Sequence, residues 1–180
     1  MSAMKGPQLH ARLARVKLFL CDVDGVLTDG AIFIGAQGEV KRYNIQDGLG
    51  LVLLRRAGIK IGWVSSRPSP ATTMRARELK ITFLVQQKDR LSKSAAIERI
   101  LRREGLTWDN VCYMGDDIVD LGPLKKAGIG VAVANAVAEA RAAADFVTRA
   151  AGGHGAVREV IETILKAQGK WDDIVAGYSE

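Results

Sequence analysis

The 180-residue sequence predicts an α/β domain in which a doubly wound parallel sheet is covered by helices on both faces. Three observations predict it. Short apolar runs alternate with stretches of helical periodicity along the chain. The runs are continuously apolar, as strands buried on both faces require. Polar, chemistry-bearing residues collect at the carboxyl ends of those runs, where open α/β sheets place their ligands.

Residues 1–15 form a helical or loose lead-in that carries Lys5, Arg12 and Arg15 and no apolar stretch of signal-peptide kind. The first strand runs from Val16 and Leu18 to Leu20 and stops at Asp22, with Asp24 beyond it. Gly25 then lets the backbone turn sharply away. Ala31 to Ile34 and Glu39 to Tyr43 flank a four-residue loop and form a hairpin over 31–43, inserted before the first helix. Asn44-Ile45-Gln46-Asp47-Gly48 leads into a helix over Leu49 to Ala57, closed by Gly58. Ile59 to Val64 is the second core strand and ends in Ser65-Ser66-Arg67-Pro68. A helix follows over Ala71 to Leu79, opened by Pro70. Ile81 to Val85 is a third strand, and Ser92 N-caps a helix that runs to Glu104 and ends at Gly105. Val111 to Met114 forms the fourth strand, ahead of Gly115-Asp116-Asp117. The rest repeats the rhythm: helix 118–127, strand 129–133, helix 136–144, strand 146–148, a Gly-rich turn at 152–155, helix 156–168 and a polar tail.

The length suits one domain over residues 1–180, with a tail from about 152. Hydrophobic residues at 48% and charged residues at 26% are ordinary for a soluble globular protein. The apolar runs are of strand length, so none spans a bilayer and no membrane partner is expected. Cys21 and Cys112 each fall inside a buried strand, where cysteine serves as a small hydrophobe. A cytoplasmic location follows. The net charge of +6 allows nucleic acid or an anionic small substrate as partner. The basic residues spread over helical segments such as Arg99 to Arg103 without aromatic interleaving. They are solvated helix faces, and nucleic acid is not expected.

Asp22/Asp24, Ser65, Lys93 and Asp116/Asp117/Asp120 all fall at or just beyond predicted strand ends, and a doubly wound sheet gathers such ends at one rim. Taken singly each has a plainer reading: a strand-end cap, a surface lysine, a turn. Together they support phosphoryl transfer through a carboxylate. One Asp attacks phosphorus while a hard cation held by oxygens neutralises the repelling charges, which suits Mg²⁺. Ser65 and Lys93 bind the non-bridging oxygens, and Asp24 is placed to protonate the leaving alcohol and later activate water.

Asp22-Val23-Asp24-Gly25-Val26-Leu27-Thr28, Ser65, Lys93 and Gly115-Asp116-Asp117-Ile118-Val119-Asp120 resemble the four motifs of the haloacid dehalogenase superfamily of phosphatases. The longer stretches Asp22 to Gly30, Asn44 to Gly48, Gly128 to Asn135 and Gly152 to Glu159 are similar to its branch acting on phosphorylated sugar acids. For that branch an octulosonate 8-phosphate is the expected substrate and a nonulosonate 9-phosphate the alternative. The likeness covers about residues 16–170. It implies a Rossmann-like core without a large cap domain and a homotetramer assembled by hairpins like 31–43. It also implies a C-terminal segment, from Gly152, that closes over a neighbouring site. By motif match Asp22 is the nucleophile and Asp24 the general acid and base. Mg²⁺ is held by Asp22, the Asp24 carbonyl and Asp116, with Asp117 and Asp120 supporting them from behind. Substrate contacts are implied for Asp24, Asn44, Ile45, Gln46, Asp47, Gly48, Arg67, Arg75 and Lys93, and two arginines suit a substrate carrying a carboxylate as well as a phosphate.

Two departures stand out. Ser66 occupies the place of the branch's usual glycine, where a side chain restricts the loop. The stretch from Gln86 to Lys93 is two residues longer than usual, and the distance to Gly115 favours Lys93 over Lys88 as the phosphate lysine. Two rival readings are a phosphoacceptor receiver domain and a catalytically dead sugar-binding scaffold. A receiver carries its acidic pair and its phosphoacceptor on different strands, unlike Asp22-x-Asp24. The intact set of motif carboxylates argues against the scaffold.

Overall fold

The computed structural model describes residues 7–86 and 93–179. The first half of the chain forms α1 (Pro7–Ala14), β1 (Leu18–Cys21), β2 (Phe33–Gly35), β3 (Gly38–Val40), α2 (Ile45–Arg56), β4 (Lys60–Ser65), α3 (Pro70–Leu79) and β5 (Phe83–Gln86). The second half forms α4 (Lys93–Glu104), β6 (Val111–Gly115), α5 (Leu121–Lys126), β7 (Ile129–Ala132), α6 (Ala138–Ala143), β8 (Phe146–Val147), α7 (Ala156–Ala167) and α8 (Trp171–Ala176). β1, β6 and β7 are buried at every position, which is why their sequences read as unbroken apolar runs. Each large aliphatic side chain placed there contributes about 1.5–3 kcal/mol. α7 buries Val157, Val160, Ile161, Ile164 and Leu165, an apolar stripe at helical spacing packed against α2.

The six-stranded sheet runs β5-β4-β1-β6-β7-β8 and every pairing in it is parallel. From β1 the chain winds outward to β5 and then returns to β6 on β1's other side. The winding therefore reverses between β1 and β6, where such sheets open a crevice at their carboxyl ends. Cys21 pairs with Trp63 on one side and Met114 on the other, and the Asp22 N–H donates to the Met114 carbonyl at 3.0 Å. Residues that follow β1, β4 and β6 emerge side by side.

β2 and β3 make a separate antiparallel hairpin, with Phe33 opposite Val40 and Ile34 opposite Glu39. Among the described residues no larger domain is inserted over the rim.

Several boundaries differ from the sequence-based expectation. α2 begins at Ile45, because the Asn44 side chain accepts from the N–H of Gln46 at 2.7 Å and of Asp47 at 3.3 Å and caps the helix there. Residues 45–48 thus form its first turn and not a lead-in loop. The helix expected over 118–127 is split into a 3₁₀ turn, Ile118–Asp120, capped by Asp117, and the short α5. The polar tail contains α8, whose Trp171 and Ile174 pack on the core. The lead-in forms α1, tied down by Arg12 to Asp145 at 2.8 Å. Residues 1–6, the Ser92 cap and Lys88 lie outside the described residues. No described helix is long and apolar enough to cross a membrane.

Candidate active site

The rim between β1 and β6 is built from carboxylates packed around one ammonium. Lys93, at the start of α4, places its Nζ 2.6 Å from Asp22 Oδ2 and 2.7 Å from Asp120 Oδ1. Asp120 is fully buried and both its oxygens are occupied. The Tyr113 hydroxyl donates to Oδ1 at 2.5 Å, and the N–H groups of Asp116 and Asp117 donate to Oδ2 at 3.0 and 3.3 Å. Asp22 Oδ1 accepts the Val23 N–H at 2.6 Å. Asp116 stands differently: its Oδ1 is buried and accepts no hydrogen bond among the described residues.

These surroundings set the protonation of each group. Burial pushes Asp22 up to about 6, against the opposing pull of Lys93. Burial, then the negative charges of Asp120 and Asp22, push Asp116 up to about 7. Burial alone would lower the Lys93 ammonium, but Asp22 and Asp120 beside it hold it above its ordinary value.

Asp22, Asp116 and Asp120 each offer an oxygen within 4.8 Å of the others. Asp120 is already saturated by donors, so Asp22 and Asp116 are the two with coordination to give. An oxygen-only donor set that includes a buried, unpartnered carboxylate oxygen fits a hard divalent cation. Gly25 makes room for it. It holds φ at +90°, and a Cβ there would run into the Asp116 carboxylate. The loop after β1 is fixed by Thr28, whose Oγ1 accepts from Gly25 and Gly30 at 3.3 and 3.2 Å. It is backed by the Gly152 turn of the same chain, where the Gly153 N–H donates to the Val26 carbonyl at 2.9 Å.

The other predicted residues fall into place unequally. Ser65 is buried at the end of β4, where its hydroxyl bonds both the N–H and the carbonyl of Arg67 at 3.0 Å. Ser66 is exposed and avoids the left-handed region, so it needs none of a glycine's freedom. Arg67 forms an ion pair with Glu39 of the hairpin. Arg75 lies over the Tyr43 ring at 5.9 Å, pairs with Glu78 at 2.7 Å, and would collide with any side chain at position 48. Ile45 and Gln46 are exposed on the first turn of α2. Asp117 is exposed and caps the 3₁₀ turn, its Oδ1 accepting the Ile118 N–H at 2.6 Å.

Asp47 faces inward. It is buried, and its carboxylate accepts the N–H of Arg158 at 2.8 Å and of Gly155 at 3.3 Å, closing the N-terminus of α7. Its oxygens serve the packing of α2 on α7. The region from Gly152 likewise builds its own chain's α7 and α8.

Sequence reasoning missed three polar residues here. Tyr113 lies within the apolar run that forms β6. Glu39 collects Arg67 and the Ser69 hydroxyl, the latter at 2.7 Å. Lys41 is buried and places its Nζ 2.6 Å from Asp24 Oδ1. The alternation of Glu39, Lys41 and Tyr43 against Val40 and Arg42 was the available signal.

Comparison with known proteins points the same way. A family model for haloacid dehalogenase-like hydrolases matches residues 87–161. The chain is 39% identical over 164 residues to the 3-deoxy-D-manno-octulosonate 8-phosphate phosphatase of Escherichia coli K12, covering 91% of this chain and 86% of that protein. A crystal structure of the phosphatase of that name from Moraxella catarrhalis, in complex with a magnesium ion, a phosphate ion and a KDO molecule, superposes with a TM-score of 0.90 at 39% identity, over 95% of this chain and 98% of the other. The cobalt-bound form of the Haemophilus influenzae enzyme superposes with a TM-score of 0.87 at 37% identity, over 94% and 99%.

Proposed function

The chain belongs to the 3-deoxy-D-manno-octulosonate 8-phosphate phosphatase family of haloacid dehalogenase-like hydrolases, and from that premise we propose that it releases phosphate from this sugar-acid phosphate through an aspartyl-phosphate on Asp22. The observation that carries the reading is Asp22 itself, held at the switch point between the Lys93 ammonium and the unpartnered oxygen of Asp116.

A carboxylate oxygen of Asp22 forms the new bond to phosphorus as the ester P–O bond breaks, and Asp24 gives its proton to the departing sugar oxygen. Asp24 then takes a proton from water, the hydroxide adds to phosphorus, and the bond to Asp22 breaks to release inorganic phosphate. Lys93 and Ser65 neutralise and orient the non-bridging oxygens. Mg²⁺, when bound through Asp22, the Asp24 carbonyl and Asp116, supplies charge neutralisation that lets an anionic nucleophile approach an anionic phosphate. Arg67 and Arg75, with the first turn of α2 from Asn44 to Gly48, bind the sugar acid. Arg67 exchanges Glu39 for the substrate carboxylate on doing so. We read the assembly as a homotetramer joined through the hairpins, in the cytoplasm, serving lipopolysaccharide precursor synthesis.

The test is phosphate release from a panel holding the octulosonate 8-phosphate, a nonulosonate 9-phosphate, hexose phosphates and 4-nitrophenyl phosphate, with Mg²⁺ and with chelator. The octulosonate ester is expected to be strongly preferred, chelator to abolish turnover, and Asp22→Asn to lower it by at least about 10³-fold. Equal rates across the sugars would overturn the substrate, and full activity of Asp22→Asn would overturn the mechanism.

A further inference from the structure

The least expected charge in the molecule is the ammonium of Lys41. It follows β3 of the hairpin, two residues after Glu39, so both side chains leave the same side of the extended chain. The Lys41 side chain is 0% exposed. Its Nζ lies 2.6 Å from Asp24 Oδ1, 3.1 Å from Thr72 Oγ1 and 3.6 Å from Glu39 Oε1. Enclosing an ammonium costs several kcal/mol before its partners compensate it. A hairpin needing only an anchor would be served better by an aliphatic side chain.

From Asp24 the arrangement looks equally deliberate. Both carboxylate oxygens are buried and accept no hydrogen bond among the described residues, so the Lys41 contact is their one polar partner there. It falls on Oδ1. Oδ2 is left without a partner. A carboxylate held by one oxygen and free at the other is oriented to exchange a proton at the free one.

We propose that Lys41 is a positioning residue that fixes the Asp24 carboxylate so that Oδ2 delivers the proton to the leaving sugar oxygen and then takes one from water. The proposal rests on the acid–base role of Asp24 given above. It also gives the hairpin a part in the chemistry of its own chain, because Lys41 reaches Asp24 only when the hairpin lies down on α3 through Thr72.

The step predicts selectivity by leaving group. An alkoxide needs the proton and nitrophenolate does not, so misplacing Asp24 harms sugar phosphates and spares the first release from 4-nitrophenyl phosphate. The experiment uses the full chain with Lys41→Met and Lys41→Arg. Steady-state phosphate release from the sugar phosphate is measured beside a stopped-flow record of the nitrophenolate burst. For Lys41→Met, kcat on the sugar phosphate is expected to fall by about 10²-fold with KM unchanged, while the burst rate stays that of the wild type. Lys41→Arg, which keeps the charge, is expected to recover part of the loss.

An equal fall on both substrates would mean a merely structural role and overturn the proposal. So would a rise in KM with kcat intact, which would place Lys41 on the substrate. Melting curves show whether Lys41→Met folds; if it does not, Lys41→Gln, which retains a donor toward Thr72, replaces it with the same expectations. Asp24→Asn separates the two layers. If it shows the selective loss and the Lys41 variants do not, the positioning role alone fails. If Asp24→Asn leaves sugar-phosphate turnover intact, the reading of Asp24 fails and takes this proposal with it.

Discussion

The rim and the hairpin break the ordinary rule of burial in opposite directions. At the rim, charged groups are inside: Asp120 at 0%, Lys93 at 5% and Asp22 at 7% exposure. On the hairpin, apolar groups are outside: Phe33 at 58%, Ile34 at 83% and Val40 at 65%. The rim is explained within the chain, since the Asp120 oxygens meet four donors and Lys93 sits between two carboxylates. Nothing among the described residues covers the hairpin's apolar side chains in this way, and a contiguous exposed patch of this kind suits a surface made for another molecule. The rim finds its partners inside the chain, and the proposed tetramer would give the hairpin its partner outside.

The sharpest way to break the comparison is to unpair the rim. Asp120→Asn keeps the shape but cannot accept at both oxygens. It leaves Lys93 and Tyr113, or the two N–H groups, facing an amide donor. It is expected to destabilise the fold by about 3 kcal/mol in urea denaturation. A loss under about 1 kcal/mol would show that the buried network is not held as described.

A smaller effect concerns the part of the rim that is not satisfied. Asp116 and Asp22 are raised to about 7 and about 6 in the folded protein, above the ordinary carboxylate value of the unfolded chain. The folded state therefore holds protons that the unfolded state has lost. Metal-free stability should fall as pH rises through roughly 4 to 7. Divalent cation competes with those protons, so Mg²⁺ should raise the melting temperature clearly at about pH 8 and little at about pH 5. Scanning calorimetry with and without Mg²⁺ checks it, and an equal shift at both pH values would contradict the assignment of the site.

The smallest effect on the protomer belongs to the hairpin. Ile34→Lys should change its intrinsic stability by no more than about 0.5 kcal/mol, because the side chain stands in solvent. In sedimentation the same substitution should break the proposed tetramer into smaller species. A mutant that stays tetrameric would move the interface elsewhere.

The rim was legible because each acid follows an apolar run directly, and a parallel sheet brings such positions together whatever their separation. Asp22 and Asp116 needed only that rule. Lys93 needed in addition its order in the chain relative to Gly115. What could not be read is which face of an element turns inward. The alternation Glu39, Lys41, Tyr43 is visible in the sequence, but a two-stranded hairpin has no core of its own to say which side is inside. The partners of Asp47 were hidden for a related reason. Asp47 stands beside Gly48 in a stretch similar to sugar-phosphatase loops, yet its partners lie 108 and 111 residues later, at the start of α7. The start of α2 was misplaced because Gly48 argued for a loop, while the Asn44 cap and packing on α7 overrode its poor helix propensity.

The turn at Gly152 has a consequence for how the protein is made. Its backbone lies so close to the loop after β1 that a Cβ at Gly152 would strike the Gly25 carbonyl. A ribosome delivers Asp22 well before this buttress, and β6, the neighbour that orients Asp22, also follows it by about 90 residues. The nascent chain therefore carries the Asp22 carboxylate long before that carboxylate has a fixed address. The site is completed only by the closure of contacts distant in sequence, which are the slow ones to form.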